Sequence, residues 1–574
     1  MPHSLSDLEQ RREVIAQEIG QLRDLRPGSI TPTSGRCGKP ECRCHQAGEP
    51  GHGPNFRLTY KVEGQTVSES LPTPAAIRKA EQEVAEFRKF QKLSQEFVEN
   101  PHRDLPSAAG GGGATKRPEK KPAEAIQQEI TREVDQLLRV IFQDRRKTGR
   151  LDLEATEMAV PSALHRAGAR ALSPLLQFSP PTEERRRVAC PCGQQAHYHE
   201  LPTQAVLTAL GPVQVWRPYY WCPSCHTGQF PADVELDIEN TEFSPGVRRR
   251  QAMVGQEAPF DHGREQMKVL AGLEVTTQSV ERTAEAMGAD IAPREQEEIH
   301  KALQLDLPVV VGPPLPILYV PMEGTGVPVV KKETVGRPGK TEGQAASTRE
   351  AKLGGVFTQT RWDKKGYPIR DPNSTTYTGA IETAEEFGQR LFLEAWKRGW
   401  SRALIQVVMG DGAEWIWNVA ALHFPGGILI VDLYHARQHL WEVVRKLYPQ
   451  DASKQKAWRK VHPKGLLDKG KIEKLVEALR SIPSSNPEVM EKLRTEADYF
   501  ERNAERMRYP KFGRQHLFVG SGVIEAGCKT VIGSRLKRSG MFWTVKGANA
   551  ILALRCSYLN ARFEDYWEGR RQAA

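Results

Sequence analysis

The spacing of apolar and polar residues in the first part of the chain predicts two helices around a small module, followed by a linker. Apolar positions recur at helical spacing over Leu5–Leu25, and again in a charged stretch from about Pro74 to Glu99. Residues 30–72 are rich in Gly, Pro and Cys and predict irregular or β structure. Residues 104–122 contain four consecutive glycines and the run KRPEKKP, which is typical of a flexible linker. Residues 1–103 are therefore predicted to form a separate module.

The next three segments change from helix to strand and back to helix. Residues 123–184 have a helical pattern with one apolar face, formed by Ile130, Val134, Leu137, Leu138 and Ile141. Residues 185–235 contain short alternating stretches between cysteine pairs and predict strands. Residues 236–304 form two helical runs, with a turn at Gly272 and a helix cap at Thr276-Thr277. This helix–turn–helix-like pattern predicts a DNA-binding region, although ordinary helix pairs look the same.

Beyond Pro308 the pattern becomes α/β. Apolar runs typical of strands occupy Ile317–Met322, Lys352–Gln359, Ala403–Met409 and Gly427–Val431. Helical runs occupy Ala384–Lys397, Ala413–Leu422 and Tyr434–Lys446. A long polar helical segment, from about Gln450 to Arg508, separates them from a last helical region that starts at Gly522. We therefore divide this part into residues 305–440, 441–510 and 511–574, and predict a multidomain α/β protein.

Composition and charge narrow the class of protein. Of 574 residues, 39% are hydrophobic and 26% are charged, which supports several buried cores and excludes wholesale disorder. The sequence contains no run long enough to span a membrane, and its first residues lack the apolar segment of a secretory signal, so we expect a cytoplasmic protein. The net charge is +10, and residues 511–574 contain eleven basic and four acidic residues. A polyanionic partner fits this distribution.

Four cysteines form two matched pairs, Cys190-Pro-Cys192 and Cys222-Pro-Ser-Cys225. Two such pairs across a hairpin place four thiolates around Zn²⁺, as in zinc ribbons, and the closed shell makes the ion structural. Val213, Val215 and Trp216 alternate between the pairs and are predicted to lie in strands of the ribbon. The alternative is a set of reduced core cysteines that happen to be close in sequence.

A second group of metal-ligand residue types lies near the N-terminus. It consists of Cys37, Cys42, Cys44 and His45, with His52 nearby. Its irregular spacing leaves two interpretations open, a second zinc site and a small Gly/Pro-rich fold with reduced thiols.

Three acidic residues stand where a cation site could form. Glu323 and Asp411 each end an apolar strand-like run and precede a glycine, and Glu525 lies on a predicted helix with Lys529 one turn later. Three carboxylates from separate elements can hold two Mg²⁺ or Mn²⁺ ions about 3.5–4 Å apart, which would act on a phosphodiester. Taken singly, each acid also fits an ordinary turn or a solvated helix position.

Asp432 and His435 form a fourth group, because the acid begins a helix directly after an apolar strand. His435 could position a phosphate, move a proton or brace the acid site. The alternative is an N-cap aspartate with surface histidines, which applies above all to His439.

These motifs resemble the DDE transposases of bacterial insertion sequences, most closely the ISKra-type group. The resemblance runs from about Ala123 to Leu559. It is carried by the cysteine pairs and by GLEVTTQSVER, EGTGVPV, TREAKLGGVF, GDGAEWIW, DLYHARQHL and GSGVIEAGCKTVIGSRLKRSGMFW. The segment GSI…CGKPECRC…GHGPNF resembles a cysteine-bearing accessory domain of unknown function that accompanies transposases.

The resemblance implies a ribonuclease-H-like core with a mixed sheet, interrupted by an all-helical insertion at 441–510 and preceded by helical and zinc-ribbon DNA-binding modules. It places the catalytic acids on Glu323, Asp411 and Glu525, supported by Asp432 and His435. It also implies Mg²⁺-dependent cleavage and strand transfer, with element ends and target DNA as partners, in a homo-oligomer associated with the bacterial nucleoid. Phosphate contacts are expected from Lys529, Arg535, Lys537 and Arg538.

The chain departs from the family at the first acid, where aspartate is expected and Glu323 stands. The extra methylene moves the carboxylate by about 1.5 Å, and metal geometry is sensitive to such a change. The alternatives to an active transposase are therefore a weakened or inactive DNA-binding derivative and a stand-alone nuclease with the same fold.

Overall fold

The computed structural model divides into two compact units, Met1–Pro118 and Glu119–Ala574. It describes residues 24–35, 52–62, 65–99, 150–339, 346–520 and 522–573, with single positions or short runs between 14 and 22, at 42 and between 124 and 147. Within these residues, no helix combines the length and the apolar character that a membrane crossing requires.

The first unit contains a three-stranded antiparallel sheet and one long helix. The strands are β1 Ser29–Gly35, β2 His52–Val62 and β3 Gln65–Leu71, in that order, and the helix is α1 Pro74–Glu99. Leu58 and Leu71 from the sheet pack with Ala80 and Val84 from the helix. The charged helix is thus as predicted, and so is the β structure of the described residues within 30–72. Leu5–Leu25 lies mostly outside the described residues.

The second unit begins with helical residues, as the sequence pattern predicts, since Ile130 and Val134 are among the described helical positions between 124 and 139. Two short strands, β4 Arg146–Lys147 and β5 Arg150–Leu151, interrupt the predicted helical segment, and α2 Leu153–Leu175 follows them. The apolar face of α2 packs on later residues of the chain. Ala169 of α2 shares a buried cluster with Val206, Val213, Val215 and Ile238.

Residues 187–229 form two separate sheets. One contains β6 Arg187–Ala189, β7 Gln195–Glu200, β10 Tyr219–Cys222 and β11 Thr227–Gln229, in the order β11-β10-β7-β6. The other is the hairpin of β8 Thr203–Thr208 and β9 Gly211–Trp216. The prediction that Val213, Val215 and Trp216 belong to the cysteine ribbon is therefore wrong, because their strand pairs with β8 and the two valines bury against α2.

A short helix, α3 Pro231–Glu235, leads to three longer ones, α4 Pro245–Glu257, α5 Phe260–Ala271 and α6 Thr277–Leu303. Gly272 has φ +64°, and the side chain of Thr276 caps α6, so the predicted turn and cap are confirmed. One face of α6 is buried against a C-terminal helix, since a Cβ at Gly288 would lie 1.9 Å from the carbonyl oxygen of Ala550. That face of α6 therefore packs against the C-terminal helix and is not exposed to solvent.

A five-stranded mixed sheet organises the rest of the chain. Its strands are β12 Leu315–Pro328, β13 Thr348–Gln359, β16 Thr376–Ala380, β17 Ala403–Gly410 and β18 Ile428–Val431, in the order β16-β13-β12-β17-β18. Strand β13 runs antiparallel to both neighbours, whereas β12, β17 and β18 are parallel. A two-stranded hairpin, β14 Arg361–Trp362 and β15 Pro368–Ile369, extends the β13–β16 connection. The buried parts of the strands are mostly apolar, as is typical of a sheet with both faces covered, although Lys352, Thr358 and Gln359 of β13 are also buried.

Helices complete this part of the molecule. Those between and after the strands are α7 Ala384–Lys397, α8 Glu414–His423 and α9 Leu433–Leu447. Next come α10 Ala452–Val461, a π-helical turn His462–Leu467, α11 Ile472–Arg480, α12 Pro487–Arg502 and α13 Tyr509–Arg514. The chain ends with α14 Gly522–Gly527, a π-helical turn Cys528–Gly533, α15 Ser534–Leu536, α16 Val545–Leu559 and α17 Phe563–Ala573.

The helices between 448 and 514 share one hydrophobic core with the sheet. Leu475 and Leu479 of α11 and Phe500 of α12 belong to the same buried cluster as Val407 and Val408 of β17. This segment therefore packs directly onto the sheet. It also places some of its side chains at the carboxyl ends of the parallel strands.

Candidate functional site

The four cysteines of the ribbon converge at one end of the sheet that carries them. The sulfur atoms all lie within 4.8 Å of one another, with Cys190 and Cys225 at 3.5 Å and Cys192 and Cys222 at 3.7 Å. These distances exclude disulfides, whose sulfur atoms are about 2.05 Å apart. They fit a tetrahedron around an ion about 2.3 Å from each sulfur, whose edges are about 3.8 Å. The group could therefore hold a metal ion such as zinc.

Two tight turns produce this arrangement. The Gly193 amide donates to the carbonyl of Cys190 at 2.9 Å, and the His226 amide donates to that of Cys222 at 3.0 Å. Both turns need a positive φ, +84° at Gly193 and +55° at His226. The Thr227 hydroxyl lies 2.9 Å from the sulfur of Cys225. This hydrogen bond, with those from the other three cysteines, lowers the pKa of Cys225 to about 6, while hydrogen bonds within the same group raise the pKa of Cys192 to about 12. The lowered pKa favours the thiolate, which is the form that binds metals.

The N-terminal cysteine group is described only in part. Cys37, Cys44 and His45 lie outside the described residues, so their predicted role as ligands stays a prediction. The sulfur of Cys42 lies 3.1 Å from Nε2 of His52. His52, which the sequence left as a neighbour of the group, is thus in contact with one of its cysteines.

The register of the parallel strands places three acids side by side where the parallel strand pairing ends, at the carboxyl ends of β17 and β18. Pro321 of β12 pairs with Met409 of β17, so Glu323 is level with Asp411. Gly410 pairs with Val431 of β18, so Asp411 is level with Asp432. Side chains at one level of adjacent parallel strands point to the same face, at about 4.8 Å spacing. We call Glu323, Asp411 and Asp432 the acid row.

Glu323 does not end its strand, contrary to the sequence-based expectation. Strand β12 continues to Pro328 by pairing with β13, in which Leu353 is opposite Glu323. It is the partner strand β17 that stops, at Gly410. Glu323 therefore occupies a strand position beside the place where the parallel part of the sheet opens.

The surroundings of Glu323 are apolar and acidic. Burial, together with the nearby carboxylates of Asp411, Glu525 and Asp432, raises the pKa of Glu323 to about 7, against a hydrogen bond with Cys528 that lowers it. Glu525, on α14, thus faces the row from another element. The four acids repel one another because few positive charges lie among them.

The other two members of the row are held by backbone hydrogen bonds. Oδ1 of Asp411 accepts from the Ala413 amide at 2.8 Å. Oδ1 of Asp432 accepts from the amides of Tyr434 and His435 at 2.7 and 3.0 Å, and so caps α9. Burial lowers the pKa of His435, although the Asp411 carboxylate opposes this. His435 is therefore neutral at pH 7.

Glu525 is exposed and paired. Its Oε1 lies 2.8 Å from Nζ of Lys529, one helical turn later. Among the described residues, the acids do not form a group of three whose ligand oxygens all lie within 4.8 Å, as the four cysteine sulfur atoms do. The structure brings the predicted acids to one face and leaves their oxygens farther apart than metal ligands.

The basic residues predicted to bind phosphate fall into two classes. Lys529 and Lys537 are next to the acids, and Lys537 donates to the Thr325 hydroxyl at 2.8 Å, two residues from Glu323. Arg538 is exposed and donates to the Ser534 carbonyl. Arg535 is fully buried, packs over Phe260 and Trp543, and donates to the Gly255 carbonyl. The expectation of a phosphate contact is wrong for Arg535, because its guanidinium does not reach the surface.

The structure adds residues to the site that sequence reasoning missed. Tyr499 and Glu496 come from α12, far along the chain, and contact Asp411 and His439 respectively. Cys528 contacts Glu323. No local motif marks these residues, and only the amphipathic pattern of the polar helices could have indicated that one face of α12 is buried.

The pKa of Glu323 makes stability depend on pH. Folding keeps the Glu323 carboxyl protonated between pH 4.5 and about 7. Its contribution to the free energy of unfolding is therefore complete below pH 4.5 and is lost as pH rises through about 7. We expect Glu323→Gln to be more stable than the wild type by about 1 kcal/mol at pH 8, a value reduced for partial exposure, and equal to it at pH 4.5. Urea unfolding in EDTA measures this. The exposed Glu488→Gln serves as the control, and an equal difference at both pH values would contradict the expectation.

Comparison with known proteins assigns only the beginning of the chain. Residues 5–79 match a domain of unknown function, DUF6788. No curated protein matches the chain. The part of the chain that is similar to a known family is therefore the N-terminal segment with β1–β3, whose family has no established function.

Proposed function

We propose that this protein is a DNA transposase of the DDE type, which cleaves DNA strands and joins the freed 3′-hydroxyl to target DNA. The observation that carries the proposal is the acid row of Glu323, Asp411 and Asp432, faced by Glu525. Glu525 is paired with Lys529. A partly buried carboxyl whose pKa is raised beside other carboxylates, as at Glu323, is typical of sites that bind cations.

The strand order supports a ribonuclease-H-like core. A fold of this kind has a five-stranded mixed sheet in which the second strand alone is antiparallel, and β12, β13, β16, β17 and β18 have that order and direction. The helical segment between β18 and α14 occupies the place of the insertion that the resemblance implies. Carboxylates at the open ends of parallel strands are the usual position of a site in such sheets.

The acids fit hard divalent cations. Carboxylate oxygens are the ligands that Mg²⁺ and Mn²⁺ prefer, and Glu323, Asp411 and Glu525 would hold two such ions. When bound, the ions activate a water or 3′-hydroxyl and stabilise the leaving oxygen of a phosphodiester. Glu525 is exposed, so its side chain is free to exchange Lys529 for a cation. The raised pKa of Glu323 means that binding competes with a proton at neutral pH.

Side chains of the protein itself would bind the DNA phosphates and accept a proton. Lys529 and Lys537 lie beside the acids and would bind the phosphates that flank the cleaved bond, which makes binding weaken with salt. His435 is held neutral by burial and would accept a proton at a ring nitrogen. The partners are element ends and target DNA, and a homo-oligomer would hold two ends together.

For the cysteine group we propose Zn²⁺ with a structural role. Four thiolates fill a tetrahedral shell and leave no position for a substrate. The strands that carry them are three to six residues long, and their buried cluster includes Cys190, Cys222, Ala196 and Tyr220. A core of that size is too small to fix the turns without a bound ion.

The test uses a plasmid that carries the reading frame with its natural flanking DNA, and measures excised and rejoined strands. We expect both the wild type and Glu323→Asp to give joined products with rates within about tenfold of each other, because the exposed Glu525 can adjust to either carboxylate. Hydrolysed strands without joined products would favour a stand-alone nuclease.

Glu323 itself favours a second candidate, a DNA-binding protein derived from a transposase. Its longer side chain is partly buried and contacts Cys528, an arrangement that could persist without catalysis. This candidate predicts that neither the wild type nor Glu323→Asp cuts the plasmid, while both bind the flanking DNA. That result would overturn the catalytic proposal.

A further inference from the structure

A tyrosine from the helical segment contacts the backbone of the second acid. The Tyr499 hydroxyl, on α12, donates to the main-chain carbonyl of Asp411 at 2.7 Å. Its ring lies against Gly412, where a Cβ would be 2.6 Å from a ring carbon. Gly412 has φ +99°, which glycine adopts without strain. The Asp411-Gly412 turn is thus shaped to receive the ring of Tyr499.

A line of buried contacts holds Tyr499 in place. Its ring stacks on His439 with centroids 4.1 Å apart and planes 13° apart. Nδ1 of His439 lies 2.7 Å from Oε2 of Glu496, and Oε1 of Glu496 lies 2.7 Å from Nζ of Lys492. Burial opposes charge on Glu496, but the hydrogen bonds from His439 and Lys492 keep its pKa below the usual range.

Burying the charged side chain of Glu496 costs free energy that a residue needed for packing alone would not have to cost. The Glu496 side chain is 3% exposed, and burying a carboxylate costs more than a well-packed apolar side chain would. The polar contacts run from Lys492 to the Asp411 carbonyl, and each one restricts the next. Their end point is the turn whose Ala413 amide also fixes the Asp411 carboxylate.

We propose that Tyr499 is a positioning residue, which fixes the Asp411 turn and so orients the Asp411 carboxylate toward a divalent cation. Glu496 and His439 would act through it by setting the ring of Tyr499. This inference rests on the proposed function, in which Asp411 is a cation ligand. It also gives the helical segment a task at the acid site, in addition to its share of the hydrophobic core.

The experiment compares Tyr499→Phe with the wild type in the full chain. Removing only the hydroxyl takes away one hydrogen bond, and we expect hydrogen exchange at the Ala413 amide to be about five- to tenfold faster. We also expect Mn²⁺ binding to the protein without DNA, measured by electron paramagnetic resonance, to be weaker by a similar factor of about five to ten. The thermal unfolding midpoint should stay within about 2 °C, since the buried ring remains.

Tyr566→Phe is the matched control. Tyr566 is also buried, and its hydroxyl donates to Oδ2 of Asp290, outside the acid row, at 2.7 Å. We expect this variant to match the wild type in exchange at Ala413 and in Mn²⁺ affinity. If both variants behave alike, the loss belongs to any buried phenol and the proposal is overturned.

The remaining outcomes separate the two proposals. Unchanged exchange at Ala413 in Tyr499→Phe, or faster exchange with unchanged Mn²⁺ affinity, would overturn the positioning role and leave the transposase proposal intact. A wild type that binds no Mn²⁺ would contradict the cation site itself, and with it the positioning role.

Discussion

Replacing Asp411 with asparagine is expected to reduce strand cleavage about 100- to 1000-fold while the protein stays folded. Asp411 is the middle member of the acid row, with Glu323 on one side and Asp432 on the other. An amide keeps the hydrogen bond from the Ala413 amide but loses the negative charge that would hold a cation. The measurement is the rate of excision from the plasmid with natural flanks, in saturating Mg²⁺, beside the unfolding midpoint.

Asp451→Asn is the matched control for this prediction. Asp451 accepts from the Lys454 amide and caps α10, and asparagine caps a helix as well as aspartate does. We expect wild-type cleavage from this variant. Cleavage by Asp411→Asn at the wild-type rate would show that the acid row is not the catalytic site.

Replacing Cys222 with serine is expected to remove one bound metal ion per chain and to open the sheet that carries the cysteines. Cys222 is fully buried, and its sulfur lies 3.7 Å from that of Cys192. Three thiolates and a hydroxyl bind zinc far less tightly than four thiolates, by at least about 100-fold. Metal content is measured by atomic absorption, and opening by proteolysis at residues 187–229.

The control is Cys556→Ser. Cys556 is buried in α16, outside the cysteine group, so its replacement should leave the metal content unchanged. Wild-type protein purified without metal, or Cys222→Ser that keeps the full content, would contradict the zinc proposal.

Much of the local structure could be predicted from the sequence. The predicted apolar runs fall within β12, β13 and β17 and match β18 to within one residue, because a strand buried on both faces is mostly apolar. The turn at Gly272 and the cap at Thr276 follow from glycine's access to positive φ and from a hydroxyl that accepts backbone amides. The convergence of the four cysteines could be predicted because each cysteine pair lies in a local turn.

Errors arose where a residue's role depends on a distant partner. Val213 and Val215 alternate as ribbon strands would, yet they bury against α2. Arg535 belongs to a basic run that is typical of a DNA contact, yet aromatic rings from two other elements enclose it. Alternation and charge do not specify which surface an element meets, so neither outcome was available from the pattern.

The sequence by itself determined which residue types stand after which apolar runs, and therefore which acids and cysteines were available for chemistry. Only the tertiary structure decided their alignment. Pairing of β12 with β17 and of β17 with β18 puts Glu323, Asp411 and Asp432 at one level, and a shift by one residue would turn an acid to the other face. Packing of α12 onto the sheet decided that Tyr499 reaches Asp411. Register and helix packing join residues up to 88 positions apart, as with Asp411 and Tyr499, whereas sequence periodicity records only neighbours.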